Sequence, residues 1–79
     1  MRIAIITHVP AAADALRGAL ALQPEHQVIW LASSGAEAIR RCEQDRPDLI
    51  LLDPLLTGTD GMETTQRIMS ATPCPILLV

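Results

Sequence analysis

The hexapeptide Asp48-Leu49-Ile50-Leu51-Leu52-Asp53 places four consecutive apolar residues before an acid. A short apolar run of this kind is typical of a β-strand that is buried on both faces of a parallel sheet. Residues 2–7 and 76–79 have the same character, and residues 26–32 form a fourth candidate strand. We therefore predict four strands, at residues 2–7, 26–32, 48–53 and 76–79.

Helical patterns separate these strands, and the predicted helices run from Pro10 to about Leu22, from Ser34 to about Asp45, and from Asp60 to about Ala71. Pro10 is tolerated in a first helical turn. The tetrapeptide Ser34-Gly35-Ala36-Glu37 matches a capping box. Asp60 is a favourable N-cap after a loop at residues 54–59. Gly18 interrupts the first helix, where it costs about 1 kcal/mol relative to Ala.

The resulting order is β-α-β-α-β-α-β within one domain, residues 1–79. Strands that alternate with helices indicate a parallel α/β sheet with helices on both faces. The fourth strand has no helix after it to cover the sheet. We therefore expect either a truncated piece of a longer domain or an edge covered by another copy of the chain.

Composition excludes several classes of protein. Hydrophobic residues make up 49% of the chain, too many for a disordered segment, and the apolar runs are too short for a membrane span. A formal net charge of −3 argues against binding to nucleic acid. No export signal precedes the two cysteines, Cys42 and Cys74, so we expect buried thiols in a cytoplasmic protein and no association with membranes.

The ends of the first three strands are the candidate site, because ligands of open α/β sheets gather at the carboxyl ends of the strands. Asp53 closes the most apolar strand, and it is either a nucleophile or metal ligand, or an ordinary acid that accepts hydrogen bonds from nearby loop amides. Thr7 and His8 follow the first strand. His8 lies beside Asp53 if the first and third strands are neighbours, although a loop histidine that caps the first helix is the simpler interpretation.

Three motifs together resemble the receiver domain of two-component response regulators: the strand at residues 2–7, Leu49-Ile50-Leu51-Leu52-Asp53, and Asp60-Gly61. Further stretches, among them Ser-Gly-Ala-Glu-Ala at residues 34–38, are similar to the N-terminal receiver of chemotaxis protein-glutamate methylesterases. The resemblance covers the whole chain and about two-thirds of a receiver. It implies a flavodoxin-like fold, incomplete here, and no enzymatic activity in this chain, because the methylesterase domain would lie outside it.

The resemblance also implies a function and a site. Asp53 would accept a phosphoryl group from a histidine kinase in a cytoplasmic chemotaxis pathway. Mg²⁺ would be held by an acidic pair after the first strand, by Asp53 and by the backbone carbonyl of Leu55. Here Thr7 and His8 replace the acidic pair, and imidazole is a poor ligand for Mg²⁺. We therefore expect weakened Mg²⁺ binding, a doubtful ligand in His8, and weak or lost phosphoacceptor activity.

The sequence is also compatible with other functions. A pseudo-receiver would act by protein interaction or dimerisation without phosphorylation, and the uncovered fourth strand favours self-association. The hypothesis of a nucleotide-binding half of a doubly wound fold has weak support, since no glycine-rich phosphate loop follows the first strand. A transition-metal site at His8 and Asp53 is remote, because two ligands rarely suffice.

Overall fold

The computed structural model describes residues 1–53, 58–71 and 73–79, without the side chains of residues 58–62 and 71. Within them the predicted order of elements is confirmed. In chain order the elements are β1 (Arg2–Ile6), α1 (Pro10–Ala21), β2 (Gln27–Ala32), α2 (Gly35–Gln44), β3 (Leu49–Leu52), α3 (Gly58–Ala71) and β4 (Ile76–Leu78).

The four strands form one parallel sheet in the order β2-β1-β3-β4. The prediction of a flavodoxin-like parallel sheet is therefore confirmed, because this order belongs to that doubly wound arrangement. The inner strands β1 and β3 pair in register from Ile3 opposite Leu49 to Ile6 opposite Leu52. Each inner strand thus has neighbours on both sides, and its side chains enter cores on both faces of the sheet, which explains why both strands are apolar along nearly their whole length.

Helices cover both faces of the sheet, and alternate strand residues point to opposite faces. The larger core lies on the face that α2 and α3 cover. Its buried members are Ala4, Ile6, Trp30, Ala32, Ala38, Cys42, Ile50, Leu52, Ile68 and Cys74. The smaller core, on the α1 face, has Ile3, Ile5 and Leu51 as buried members, against which Leu16, Leu20, Val28, Leu31 and Leu49 pack. β1 therefore divides its residues between two separate cores.

The N-terminal end of the sheet is held by polar contacts as well as by packing. The backbone N–H of Arg2 donates to Oδ2 of Asp48 over 2.8 Å, and the Arg2 guanidinium forms an ion pair with Asp45. The indole N–H of Trp30 donates to the carbonyl of Asp45 over 2.8 Å. These contacts tie β1 and β2 to the segment that leads into β3.

The capping box of α2 is only partly as predicted. Oγ of Ser34 accepts a hydrogen bond from the backbone N–H of Glu37 over 3.2 Å, as expected. The Glu37 carboxylate, however, accepts from the backbone N–H of Ser33 over 2.8 Å, one residue before the N-cap. This bond to Ser33 is the main reason why the pKa of Glu37 is lowered.

Two predictions about helix starts are corrected. α3 begins at Gly58, so Asp60 lies within the helix and is not its N-cap. The N-cap position of α1 belongs to Val9, which has no polar side-chain atom, so His8 does not cap this helix as the sequence suggested. Of the predicted loop at residues 54–59, residues 54–57 lie outside the described part of the chain, and residues 58 and 59 are helical.

The helix α1 and the edge strand β4 are less buried than the inner strands of the sheet. None of the α1 residues is fully buried, and the β4 side chains of Leu77 and Leu78 are 53% and 64% exposed. Among the described helices none is both long enough and apolar enough to cross a membrane.

Gly18 is a position where stability can be gained. It lies inside α1, and a Cβ added there meets no atom within 4 Å. We expect Gly18→Ala to raise the free energy of unfolding by about 0.5–1 kcal/mol, because Ala loses less backbone entropy in a helix. Urea unfolding followed by the fluorescence of Trp30, the sole Trp of the chain, measures the change. The neighbouring substitution Ala19→Gly, at another exposed helical position, should lower stability by a similar amount, and equal stabilities of all three proteins would contradict the prediction.

The two cysteines are free and buried, as predicted. Burial raises the pKa of Cys42 from 9.0 to about 11, with a smaller contribution from Cys74, and burial also raises the pKa of Cys74. The unfolded chain therefore releases thiol protons at a lower pH than the folded chain does. Stability that is fully present below pH 9 is lost as the pH rises through about 11.

We expect the free energy of unfolding to fall by on the order of 2 kcal/mol over this alkaline range. The chain contains no Lys and no Tyr, so the side chains that titrate there are the two thiols, and the larger raised pKa is that of Cys42. Urea unfolding across the range measures the slope, and Cys42→Ala should remove most of it. An unchanged slope in Cys42→Ala would show that the thiol is not its origin.

Candidate functional site

The carboxyl ends of β1, β2 and β3 meet at one edge of the sheet, as the predicted site requires. The backbone N–H of Thr7 donates to the carbonyl of Ala32 over 2.9 Å. The backbone N–H of Asp53 donates to the carbonyl of Ile6 over 3.0 Å. Hydrogen bonding between the strands therefore continues one residue beyond β1 and β3, and it fixes the backbones of Thr7 and Asp53 side by side.

A buried hydrogen bond joins the side chains of these two residues. Oγ1 of Thr7 donates to Oδ2 of Asp53 over 2.7 Å, with Thr7 7% and Asp53 9% exposed. Oγ1 of Thr7 also accepts from the backbone N–H of Val9 over 3.1 Å. A carboxylate that is removed from water is costly unless it is hydrogen-bonded. The hydroxyl of Thr7 supplies one such bond, and its own oxygen is anchored by the loop that leads into α1.

His8 lies at the same edge, directly after Thr7. The predicted condition for its closeness to Asp53 is met, because β1 and β3 are neighbours. The His8 side chain is exposed, and with Ser33, Glu37 and Thr7 it lines an open cavity of about 300 Å³ between the ends of β1 and β2. Its role as a metal ligand stays a prediction.

The described residues do not fit a Mg²⁺ site well. Mg²⁺ prefers octahedral oxygen ligands, with one or two carboxylates among them. The described side chain that contacts Asp53 is the Thr7 hydroxyl, whose proton points to the Asp53 carboxylate. The adjoining cavity is lined by the imidazole of His8 and by Glu37, whose carboxylate accepts from the backbone N–H of Ser33. Across the part of the chain that the structure describes, no three His, Cys, Asp or Glu residues come together to hold a metal. The carbonyl of Leu55, the other predicted ligand, lies outside the described residues.

Sequence reasoning treated Thr7 only as a replacement for an acid and missed its hydrogen bond to Asp53. The contact depends on β1 and β3 being neighbours in register, which the sequence does not state. One signal was available, because a hydroxyl residue directly after a buried strand is the kind of partner that a buried carboxylate at the same edge needs.

The comparisons with known proteins agree with the resemblance found in the sequence. The family model of the response regulator receiver domain matches residues 3–79. A protein-glutamate methylesterase/protein-glutamine glutaminase of the group 3 operon of Pseudomonas putida is 54% identical over all 79 residues. The chain spans 23% of the length of that relative.

Two solved structures have a closely similar fold. The response regulator domain of Thermotoga maritima CheB superposes with a TM-score of 0.90 at 23% identity, over 99% of this chain and 58% of that one. A structure of the P1 domain of CheA3 in complex with CheY6 from R. sphaeroides gives a TM-score of 0.85 at 24% identity, over 98% of this chain and 60% of that one. At these identities the likeness concerns the fold alone.

These findings confirm that the 79 residues form a regulatory receiver and not a catalytic domain. The match to the family model takes in nearly the entire sequence, and the relative named above is a protein-glutamate methylesterase, as the sequence motifs indicated. The chain therefore belongs to the family of response regulator receiver domains.

Proposed function

We propose that Asp53 is the phosphoacceptor of this receiver and takes its phosphoryl group from a histidine kinase. The observation that carries the proposal is the place of Asp53 directly after β3, at the edge where the ends of three parallel strands meet. Receiver domains accept phosphoryl groups from such kinases as a family, and in open α/β sheets this edge is where ligands bind.

The proposed step is an in-line phosphoryl transfer. An oxygen of the Asp53 carboxylate attacks phosphorus, the bond between phosphorus and the kinase imidazole breaks, and the imidazole nitrogen keeps the electron pair and is protonated from solvent. In such reactions the protein mainly positions the groups and neutralises charge. Receiver domains generally use Mg²⁺ for the second task. Because Thr7 and His8 stand in place of an acidic pair, we propose that Mg²⁺ binds weakly here and that phosphorylation is slow.

The partners follow from the same proposal. The structure of the P1 domain of CheA3 in complex with CheY6 contains a chain with the same fold as this receiver. The complex supports a kinase of the chemotaxis type as the donor of the phosphoryl group. The relatives of this chain are methylesterases about four times its length. We therefore propose that the receiver serves a cytoplasmic chemotaxis-type pathway and that the whole protein is a protein-glutamate methylesterase.

A second candidate function is a pseudo-receiver that acts through protein contacts and not through phosphate. Thr7 and His8 stand where the family resemblance implies two acids, and this favours the pseudo-receiver. The exposed side chains of Leu77 and Leu78 on β4 supply apolar surface for a contact, including one with a second copy of the chain. The oligomeric state in solution, measured by sedimentation, tests the self-association.

The phosphoacceptor is tested by incubating the purified protein with acetyl phosphate and recording the intact mass. We expect a single phosphoryl adduct at less than full occupancy, because charge neutralisation at the site is weak. Asp53→Asn should abolish the adduct, since an amide oxygen is a far poorer nucleophile than a carboxylate.

Asp14→Asn is the matched control, because Asp14 is an exposed acid on α1, and it should leave the adduct unchanged. An adduct that survives in Asp53→Asn would show that Asp53 is not the acceptor. No adduct in any of the proteins would favour the pseudo-receiver.

A further inference from the structure

We infer that Thr7 is a positioning residue for Asp53 and that its hydroxyl holds the carboxylate in place of a divalent cation, so that Mg²⁺ has no saturable site at Asp53. The inference rests on the proposed function only for the role of Asp53 as the phosphoacceptor. It departs from the general behaviour of receiver domains, and its test needs no phosphoryl group.

The direction of the hydrogen bond carries the first step. A threonine hydroxyl has one proton to donate, and an ionised carboxylate can only accept. Because the backbone N–H of Val9 donates to Oγ1 of Thr7, the hydroxyl proton is left to point at Oδ2 of Asp53. The distance of 2.7 Å is within the short range that is typical of a hydroxyl bonded to an anion. Oδ2 is therefore held by a proton that a cation at the same oxygen would have to displace.

The geometry around this bond makes it rigid. Thr7 and Asp53 are both buried, and their backbones are fixed by hydrogen bonds to the neighbouring strands. Thr is restricted in its χ1 rotation because it is branched at Cβ. The oxygen that Thr7 presents is thus set by the backbone, and the rotation of the Asp53 carboxylate is limited without any bound ion.

The charge of the side chains at this edge is the second observation on which the inference rests. A divalent cation gains strongly from a second and third carboxylate, because the attraction between unlike charges adds over all of them. Thr7 contributes no charge, and the exposed imidazole of His8 suits Zn²⁺ or Cu²⁺ better than Mg²⁺. A cation would have to displace the Thr7 proton from Oδ2 of Asp53. The carboxylate of Glu37, at the same edge, already accepts from the backbone N–H and the hydroxyl of Ser33.

Titration with Mn²⁺, followed by the electron paramagnetic resonance of the free ion, tests the absence of the cation site. Mn²⁺ is a suitable probe because it takes the same oxygen ligands as Mg²⁺. We expect the purified protein and its Asp53→Asn variant to give superimposable curves. The paired substitution Thr7→Asp with His8→Asp should create a saturable site, which Asp53→Asn then removes. Saturable Mn²⁺ binding in the unsubstituted protein that Asp53→Asn abolishes would overturn the inference.

A double-mutant cycle tests the positioning role and does not depend on the acidic variant being folded. Thr7→Val removes the hydroxyl with little change in shape, and Asp53→Ala removes its acceptor. We expect the effects on the unfolding equilibrium constant to be coupled by about tenfold, since the bond involves a charged group. Thr7→Ser should keep most of this coupling, because it keeps the hydroxyl. Additive effects, or equal effects of Thr7→Val and Thr7→Ser in the cycle, would overturn the inference.

These outcomes are distinct from a failure of the proposed function. If Asp53 forms no adduct with acetyl phosphate but the Mn²⁺ curves and the cycle behave as expected, Thr7 still positions Asp53 and only the phosphoacceptor role is lost. If an Asp53 adduct forms and the unsubstituted protein binds Mn²⁺ through Asp53, the proposed function stands and the inference about Thr7 fails.

Discussion

The pairing of β1 with β3 is the constraint from which the core and the candidate site both follow. Because both strands are inner strands, each presents one set of side chains to the α1 face and the other set to the face of α2 and α3. A slip of one residue would exchange these sets, so the register is strongly specified by two cores at once. The same register brings the backbone N–H of Asp53 to the carbonyl of Ile6. The position of the buried acid is therefore a consequence of how the apolar residues before it pack.

The secondary structure was predictable because the chain marks it with strong local signals. Residues 49–52 are apolar on both faces, which is typical of a strand inside a parallel sheet. Pro10 stands at a helix start and Pro47 after a helix end. Most of the predicted boundaries agree with the structure to within one or two residues. The alternation of strands and helices then leaves a parallel sheet with right-handed crossovers as the simplest arrangement.

The contacts of polar side chains were harder to predict, because they depend on which backbone atoms are brought near. Glu37 was expected to bond the backbone of the N-cap, but the extended backbone there presents the N–H of Ser33. Asp60 has a good capping side chain, yet α3 begins before it, at Gly58. Thr7 becomes a partner of Asp53 only when β1 lies beside β3, and the strand order is a property of the whole sheet. Local sequence patterns do not directly predict any of these three features, which are two hydrogen bonds and the first residue of a helix.

The pair of Thr7 and Asp53 also bears on how a receiver balances stability against chemistry. A cluster of acids that awaits a cation contains like charges that repel each other when the cation is absent, and each acid that is removed from water adds to the cost. A single carboxylate that accepts from a neutral hydroxyl, as Asp53 does from Thr7, avoids this repulsion. A hydroxyl in place of an acid also carries no charge that could hold a cation against an incoming phosphoryl group. If Asp53 is the phosphoacceptor that we propose, the Thr7 hydroxyl that stabilises its carboxylate at this edge would also slow its phosphorylation.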